Sequence, residues 1–402
     1  MPINYLTRWF EESNLKAALR TVKVCLYKKT LILQMDKRFS RKFWRSGGRK
    51  PSAVALFKPL NIKINSSEKM NEFIPPSISI VIPVFNVEKY IGECLDSLLL
   101  QTFDKFEVIC IIDGSTDNSE NIIKSKKYQS LNLKIINIPN SGQSIARNIG
   151  IHNATGKFIL FLDSDDKIRS DTLKKCIEEL EGNELDGVFF EGQAFSKTLK
   201  KNKMKKYNYN RPVINRIIDG EELYNTSIES HLFTVQPCCY IVKKNIIKSI
   251  DFIPSVYHED NAYTIELLFS GKLKKIKIIN EKFFLRRLRL NSTMTSIKNI
   301  KHTKGYLASI KIFSKIIKES NDKRTKKNLS LYLEKLFLGA IISNSSCTRT
   351  DKITNLKDEL LKIISDIGIK NVTLKTKTLP YFIPYFSLRK NIIKKIRSFK
   401  CQ

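Results

Sequence analysis

The chain has 402 residues, room for two or three domains, and its 42% apolar and 10% aromatic content can build a sizeable core, which excludes wholesale disorder. Fifteen glycines and twelve prolines are too few for a collagen-like or low-complexity chain. Lys and Arg number 71 against 39 Asp and Glu, so the net charge is +32. This calls for an anionic partner (nucleic acid, an acidic membrane surface or a phosphate-bearing substrate), although the Lys-, Ile- and Asn-rich composition of an AT-rich coding sequence supplies part of the surplus.

Residues 1–76 read as a basic N-terminal extension. Arg38, Arg41, Lys42, Arg45, Arg49 and Lys50 lie close together, with Asp36 the only nearby acid. Such a segment is either a solvated arm or one that binds a membrane surface or a partner. The first residues lack the basic-then-apolar order of a secretory signal. No stretch approaches the roughly 20 apolar residues that span a bilayer. Eight cysteines contain no C-x-x-C pair, and Cys94, Cys110 and Cys176 sit in apolar stretches, a reducing-compartment pattern. The expectation is a cytoplasmic protein, peripheral on the inner face of the cytoplasmic membrane.

From Ser77 the character changes. Ser77 to Phe85 is a β-branched run suited to a fully buried strand. Asn86 is expected to cap the following helix, whose apolar positions are Tyr90, Ile91, Cys94, Leu95, Leu98 and Leu99. A second buried strand, Phe106 to Ile112, runs into the turn Asp113-Gly114-Ser115-Thr116-Asp117. A third strand at Leu133 to Ile138, a helix at Gln143 to Asn153 and a fourth strand at Lys157 to Leu162 follow. The alternation predicts a Rossmann-like α/β array with a mostly parallel sheet and flanking helices, ligands binding at the edge where the strands end.

Three groups on that edge carry chemistry. Asp163-Ser164-Asp165-Asp166 places three carboxylates at a strand exit, where they would repel one another unless a divalent cation neutralised them. Hard oxygen ligands select Mg²⁺ or Mn²⁺, which one or two carboxylates hold together with substrate phosphate oxygens. The alternative is a capped strand-to-helix turn. Asp113 could accept from a base N–H or a ribose hydroxyl, or close an Asx-turn. Arg147 could reach a phosphate or base edge, or be a surface helix charge.

Taken together, Ile82-Pro83-Val84-Phe85-Asn86, the Asp113 turn, Ala146-Arg147-Asn148 and Phe161 to Asp166 resemble the nucleotide-binding half of the inverting family 2 glycosyltransferases, whose fold is the GT-A type. The resemblance continues through Tyr257-His258-Glu259-Asp260 and the segment Phe284 to Met294. It covers about residues 77–297: a nucleotide-binding half at 77–168 and an acceptor half at 169–297. It implies transfer of a hexosyl or N-acetylhexosaminyl group from a nucleotide-diphosphate sugar, UDP favoured, to a hydroxyl of a glycan or lipid-linked saccharide in bacterial surface polysaccharide synthesis.

The residues that the resemblance implies for the nucleotide sugar are Pro83, Phe85, Asn86, Asp113, Gly114, Ser115, Arg147, Asp163, Ser164 and Asp165, with Arg287 and Arg289 on the phosphates. Asp165 and Asp163 would hold the metal, with Asp166 in support. Asp260 would be the general base and Glu259 its alternative; both could instead be acids favouring a helix N-terminus, and His258 is a further candidate. Two positions depart from the family pattern: Ile112 replaces an acid before Asp113, and Cys238-Cys239 replace an aromatic in the acceptor loop.

Residues 298–402 turn helical, with amphipathic candidates at Lys304 to Lys318, Leu329 to Ile342 and Ile353 to Ile364. The tail Ser387 to Lys400 alternates apolar and basic residues without an acid, as an interfacial helix or one packed on its own domain would. Three rivals remain: a polyisoprenyl-phosphate glycosyltransferase, which needs no base for its phosphate acceptor; a basic nucleic-acid-binding protein; and a catalytically dead partner in a glycan-building complex, against which the intact carboxylates at all three expected positions count. No stacking-aromatic motif or zinc site favours the second, so no nucleic acid is expected.

Overall fold

The computed structural model describes residues 75–196, 204–289, 298–348 and 350–385. The basic extension before residue 75, the positions from Leu290 to Met294 and the tail from Ser387 lie outside the described residues.

β1 (Ile78–Val84) is buried along its whole length, as its β-branched sequence requires. It pairs in parallel with β2 (Phe106–Asp113) on one side and β4 (Phe158–Phe161) on the other, and β3 (Leu133–Ile138) extends the array beside β2. Helices α1 (Ile91–Leu99), α2 (Ser119–Ile123) and α3 (Gln143–Asn153) make the crossovers. Cys94 and Cys110 are buried between these layers, and Cys176 in α4 (Thr172–Gly182) is equally enclosed.

The second half joins the same sheet rather than forming its own. It contributes β5 (Lys167–Ile168), β6 (Gly187–Phe195), β7 (Tyr240–Lys243) and β8 (Ile276–Arg287), and the strand order is β3-β2-β1-β4-β7-β6-β8-β5. β7 runs antiparallel to both β4 and β6, and β6 is parallel to β8. Hence β6 and β8 point the same way as β1, β2 and β4, and only β5 and β7 run against them. The expected mostly parallel sheet is present, with eight strands of mixed direction among the described residues. Its consequence is that Phe195 and Arg287, at the ends of β6 and β8, arrive on the edge where Asp113 and Asp163 emerge.

Helices α5 (Gly220–Glu229), α6 (Lys244–Ile247) and α7 (Glu259–Leu268) complete the second half. Beyond it stand α8 (Ile300–Glu319), α9 (Lys323–Ser346), α10 (Leu356–Ile367) and α11 (Leu374–Thr378). The Asp322 side chain caps α9 by accepting from the Thr325 N–H at 2.7 Å. An aromatic ladder ties this region to the core: Tyr224 meets Phe313, which stacks on Tyr332 at 5.3 Å, and Tyr332 meets Phe233 edge-on at 5.1 Å.

One local expectation is corrected. Asn86 does not cap α1, which begins after Tyr90 with no side-chain cap. Asn86 instead takes a left-handed φ of 50°, and its Oδ1 accepts from the Thr116 N–H at 2.8 Å. Asn tolerates that conformation because its short amide bonds to nearby backbone.

Candidate active site

The exits of β1 and β2 are laced together. Gly114 has φ +68°, and a Cβ there would fall 2.8 Å from the Asn140 nitrogen, so the turn needs glycine. The Ser115 hydroxyl accepts from the Asn86 N–H at 3.2 Å and donates to the Val84 carbonyl at 3.3 Å. Phe85 is left exposed on this rim, at 46%. Pro83 was expected to contact the nucleotide, but its side chain is buried within β1. Asp113 is also corrected. It is buried, and its two oxygens accept from the Ser141 and Gly142 N–H groups at 2.6 and 2.8 Å. It fixes the loop that starts α3 rather than offering a free carboxylate to a base or ribose.

The Asp163 to Asp166 turn emerges beside this rim, and its carboxylates have separate environments. Asp163 Oδ1 accepts from Arg147 Nη2 at 2.8 Å and Gln143 Nε2 at 3.0 Å, and its Oδ2 accepts from Gln236 Nε2 at 3.3 Å. Three protein donors orient this carboxylate, whose side chain is 20% exposed. Ser164 is buried in the turn. Asp166 is buried as well, and its Oδ1 accepts from the Arg287 N–H at 2.6 Å. Burial, with Asp165 and Asp163 adding like charge, holds its carboxyl well above the usual range, and its bond to the Arg287 N–H braces the turn. Asp165 differs: Oδ2 accepts from Arg289 Nε at 2.6 Å, and Oδ1 has no hydrogen-bond partner among the described residues.

The two arginines of β8 and its exit also separate. Arg287 is buried; its Nε donates to the Asp165 carbonyl at 2.8 Å and its Nη2 to Glu93 at 2.9 Å, while its guanidinium lies over the rings of Phe195 and Tyr90. That is a brace, not the expected phosphate contact. Arg289 remains 30% exposed, over the Tyr90 ring at 5.1 Å.

Arg147 is corrected too. Its guanidinium is buried rather than on the surface of the helix: Nη1 donates to Glu259 Oε1 at 2.9 Å, Nη2 holds Asp163, and its carbon lies 5.0 Å over the Phe252 ring. Burial opposes its charge, but Asp163 and Glu259 outweigh that and keep its pKa above the usual arginine value.

Glu259 and Asp260 open α7. Glu259 is buried and committed to Arg147. Asp260 is half-buried. Its Oδ1 accepts from the Asn261 N–H at 3.0 Å and Asn261 Nδ2 at 3.2 Å, and its Oδ2 has no hydrogen-bond partner among the described residues. Burial and then the neighbouring Glu259 charge raise its pKa to about 7, with Arg147 opposing. His258, the other candidate, has a left-handed φ of 65° and stacks on Tyr306 at 4.4 Å. Burial, with Lys298 and His302 nearby, lowers its pKa to about 4. Its ring is neutral and its Nε2 is enclosed with no partner among the described residues, which suits packing better than proton transfer.

The model of the family described as glycosyl transferase family 2 matches residues 79–250. The chain is 34% identical to an uncharacterized glycosyltransferase of Haemophilus influenzae over 194 residues, which are 48% of this chain and 72% of that protein. The chain belongs to the family 2 glycosyltransferases. The glycosyltransferase is also 27% identical to EpsJ of Bacillus subtilis over 72% of its own length and 84% of EpsJ. It is 28% identical to the minor teichoic acid biosynthesis protein GgaB of the same organism over 77% of its own length, and spans about a third (34%) of GgaB. Among solved structures, S. aureus TarS 1–349 in complex with UDP-GlcNAc superposes with a TM-score of 0.59, at 21% identity, covering 78% of this chain and 88% of that one. That likeness is one of fold.

Sequence reasoning missed four residues of the site. Gln143 lies one helical turn before Arg147 on α3, so both reach Asp163, a spacing that was readable. Gln236 comes from the acceptor loop, and Glu93 and Tyr90 from the start of α1. Their roles depend on long-range placement that no local pattern encodes. Cys238 and Cys239 are free and buried behind that loop, with burial pushing both thiols up, so neither is a nucleophile.

Proposed function

We propose that the glycosyltransferase transfers a sugar, with inversion, from a nucleoside-diphosphate sugar, UDP favoured, to a hydroxyl of a glycan or lipid-linked saccharide in bacterial surface polymer synthesis. The observation that carries this reading is Asp260. It is a half-buried carboxylate with one oxygen open and a pKa near 7, joined through Glu259 and Arg147 to the nucleotide-side turn at Asp163. A sugar hydroxyl is too weak an acid to ionise alone near neutral pH. A carboxylate that accepts its proton as the new bond forms contributes typically about 10² to 10⁴-fold, most efficiently when its pKa lies near the working pH. The acceptor oxygen attacks the anomeric carbon as the bond to the diphosphate oxygen breaks; the hydroxyl proton passes to Asp260 Oδ2, and the nucleoside diphosphate leaves with the electron pair.

The leaving group needs positive charge. Arg289 is the accessible guanidinium beside Asp165 and suits bidentate contact with diphosphate oxygens. Mg²⁺ or Mn²⁺ fits Asp165 in a limited way. Among the described residues no three His, Cys, Asp or Glu side chains gather as a cage, so diphosphate oxygens would complete the shell. When bound, such a cation supplies Lewis-acid stabilisation of the developing charge. The Phe85 rim, with Asn86 and Ser115 shaping it, is assigned to the base.

GgaB and the poly(ribitol-phosphate) beta-glucosyltransferase of Bacillus spizizenii, 43% identical over 113 residues, support a polymer acceptor. Those residues are 27% of this chain and 18% of that enzyme. No helix among the described residues is long and apolar enough to cross a membrane. A peripheral position on the inner membrane face is the proposal that accompanies a lipid-linked acceptor. The test is a screen of purified protein against nucleotide sugars with and without Mn²⁺. Donor hydrolysis or transfer that disappears in Asp260→Asn while nucleotide binding persists supports the reading; turnover retained by Asp260→Asn overturns the base assignment.

A further inference from the structure

The surface beyond α10 is unusual. Among the described residues, twelve large apolar side chains are markedly exposed, and five of them fall between 369 and 385: Ile369, Leu374, Tyr381, Phe382 and Tyr385. α11 continues through a 3₁₀ turn (Leu379–Phe382) into helical residues 383–385, where the described residues stop. Its inner side is conventional, with Thr376, Leu379 and Pro380 buried. Its outer side is not. Leu374, Tyr381 and Tyr385 are seven and four residues apart, which places them on one helical face, with Phe382 beside them. They are 76%, 60%, 56% and 52% exposed in the order Leu374, Tyr381, Tyr385, Phe382. Exposed apolar residues scattered singly need no explanation; a contiguous face of them marks a contact surface.

Charge identifies the occupant. Lys357 Nζ sits 4.9 Å over the Tyr381 ring, Lys377 lies between Leu374 and Tyr381, and Lys370 is exposed next to Ile369. No Asp or Glu occurs in the sequence after Asp366, while six Arg and Lys lie between Ser387 and Lys400. Lys375 is paired with Glu334 at 3.3 Å, but the segment itself carries no acid, and its Tyr and Phe flanked by Lys match the interfacial zone of a bilayer, where ring bodies enter the acyl boundary and lysines meet anionic headgroups. We infer that the outward face of residues 374–385 seats the glycosyltransferase on an anionic membrane surface. The inference extends the membrane-side part of the proposed function and does not use its sugar chemistry.

The test is co-sedimentation of the purified full chain with vesicles of phosphatidylglycerol and phosphatidylcholine, against phosphatidylcholine alone. The parent protein should bind the anionic vesicles, more weakly as salt rises, and a Leu374→Ser, Tyr381→Ser, Phe382→Ser variant should lose at least tenfold in apparent affinity. These side chains are exposed, so its thermal unfolding and its nucleotide-sugar hydrolysis in solution should match the parent. Failure of the parent to bind, equal binding to neutral vesicles, or a variant that binds within twofold of the parent overturns the inference. A variant that changes an oligomer to a monomer by light scattering overturns it in favour of a contact between copies. A chain that binds vesicles but hydrolyses no nucleotide sugar leaves the inference standing and counts against the proposed function.

Discussion

Asp163 and Glu259, one from each half of the fold, are held by the same guanidinium: Arg147 reaches the first at 2.8 Å and the second at 2.9 Å. The three charges sit where water is largely excluded, so removing the middle one leaves two carboxylates facing each other without compensation. Breaking a buried pair in this way costs about 3–5 kcal/mol. Arg147→Met should destabilise the protein by that order in urea unfolding, and adding Glu259→Gln should restore part of the loss. Additive losses would show that the pair is not coupled.

The raised pKa of Asp260 fixes the sign of the pH response. The base works only when deprotonated, so kcat/KM should rise with pH through an inflection near 7 and fall about tenfold per pH unit below it. Glu259 is the second cause of the upward shift, so Glu259→Gln should move the inflection to lower pH. For stability the direction is opposite. A carboxyl whose folded pKa lies above its unfolded value favours the fold while protonated, and that advantage fades as pH rises above the ordinary carboxylate range. Asp260→Asn should therefore be inactive yet no less stable than the parent at pH 8, as a thermal melt would report.

Asn261 and Tyr332 should tune the same group. The Tyr332 hydroxyl donates to Asn261 Oδ1 at 2.8 Å, which turns Asn261 Nδ2 toward Asp260. Donation to a carboxylate favours its charged form. Tyr332→Phe should shift the acid limb of the pH profile upward with little change in donor KM. An unmoved profile would reduce Tyr332 to packing.

Asp165→Asn removes the carboxylate proposed to meet the cation. A bound cation contributes several kcal/mol, so Mn²⁺-dependent binding of UDP, followed by calorimetry, should weaken roughly a hundredfold. Binding measured without metal should change little. Loss of both together would place Asp165 in the nucleotide pocket itself.

The order β1 to β4 was legible because buried parallel strands carry continuous β-branched runs, as Ile78 to Val84 does, and because α3 matches its periodicity from Gln143 to Asn153. That Asp163 and the Glu259-Asp260 pair belong to one site followed from the resemblance, and Arg147 is what joins Asp163 to Glu259. The roles of individual charges were less legible. Asp113, Arg147, Asp166 and Arg287 are all charged residues in the right segments, but each is buried against a partner distant in sequence. A motif says which residue stands at a position; whether its charge meets substrate or the protein's own backbone is decided by tertiary contacts. Asn86 shows the same limit, since its amide chose Thr116 in the neighbouring loop over the helix it precedes.

Gly305 in α8 lies so close to the loop before α7 that a Cβ there would fall 1.7 Å from the Tyr257 carbonyl oxygen, and the Tyr257 N–H donates to Lys301 in the same helix. Only His258 separates Tyr257 from Glu259 and Asp260. The helical annex is thus a jig for the reaction centre and not an accessory bolted to it. A chimera that takes the sheet from one relative and the terminal helices from another would inherit both sets of reactive groups but lose the registration between them.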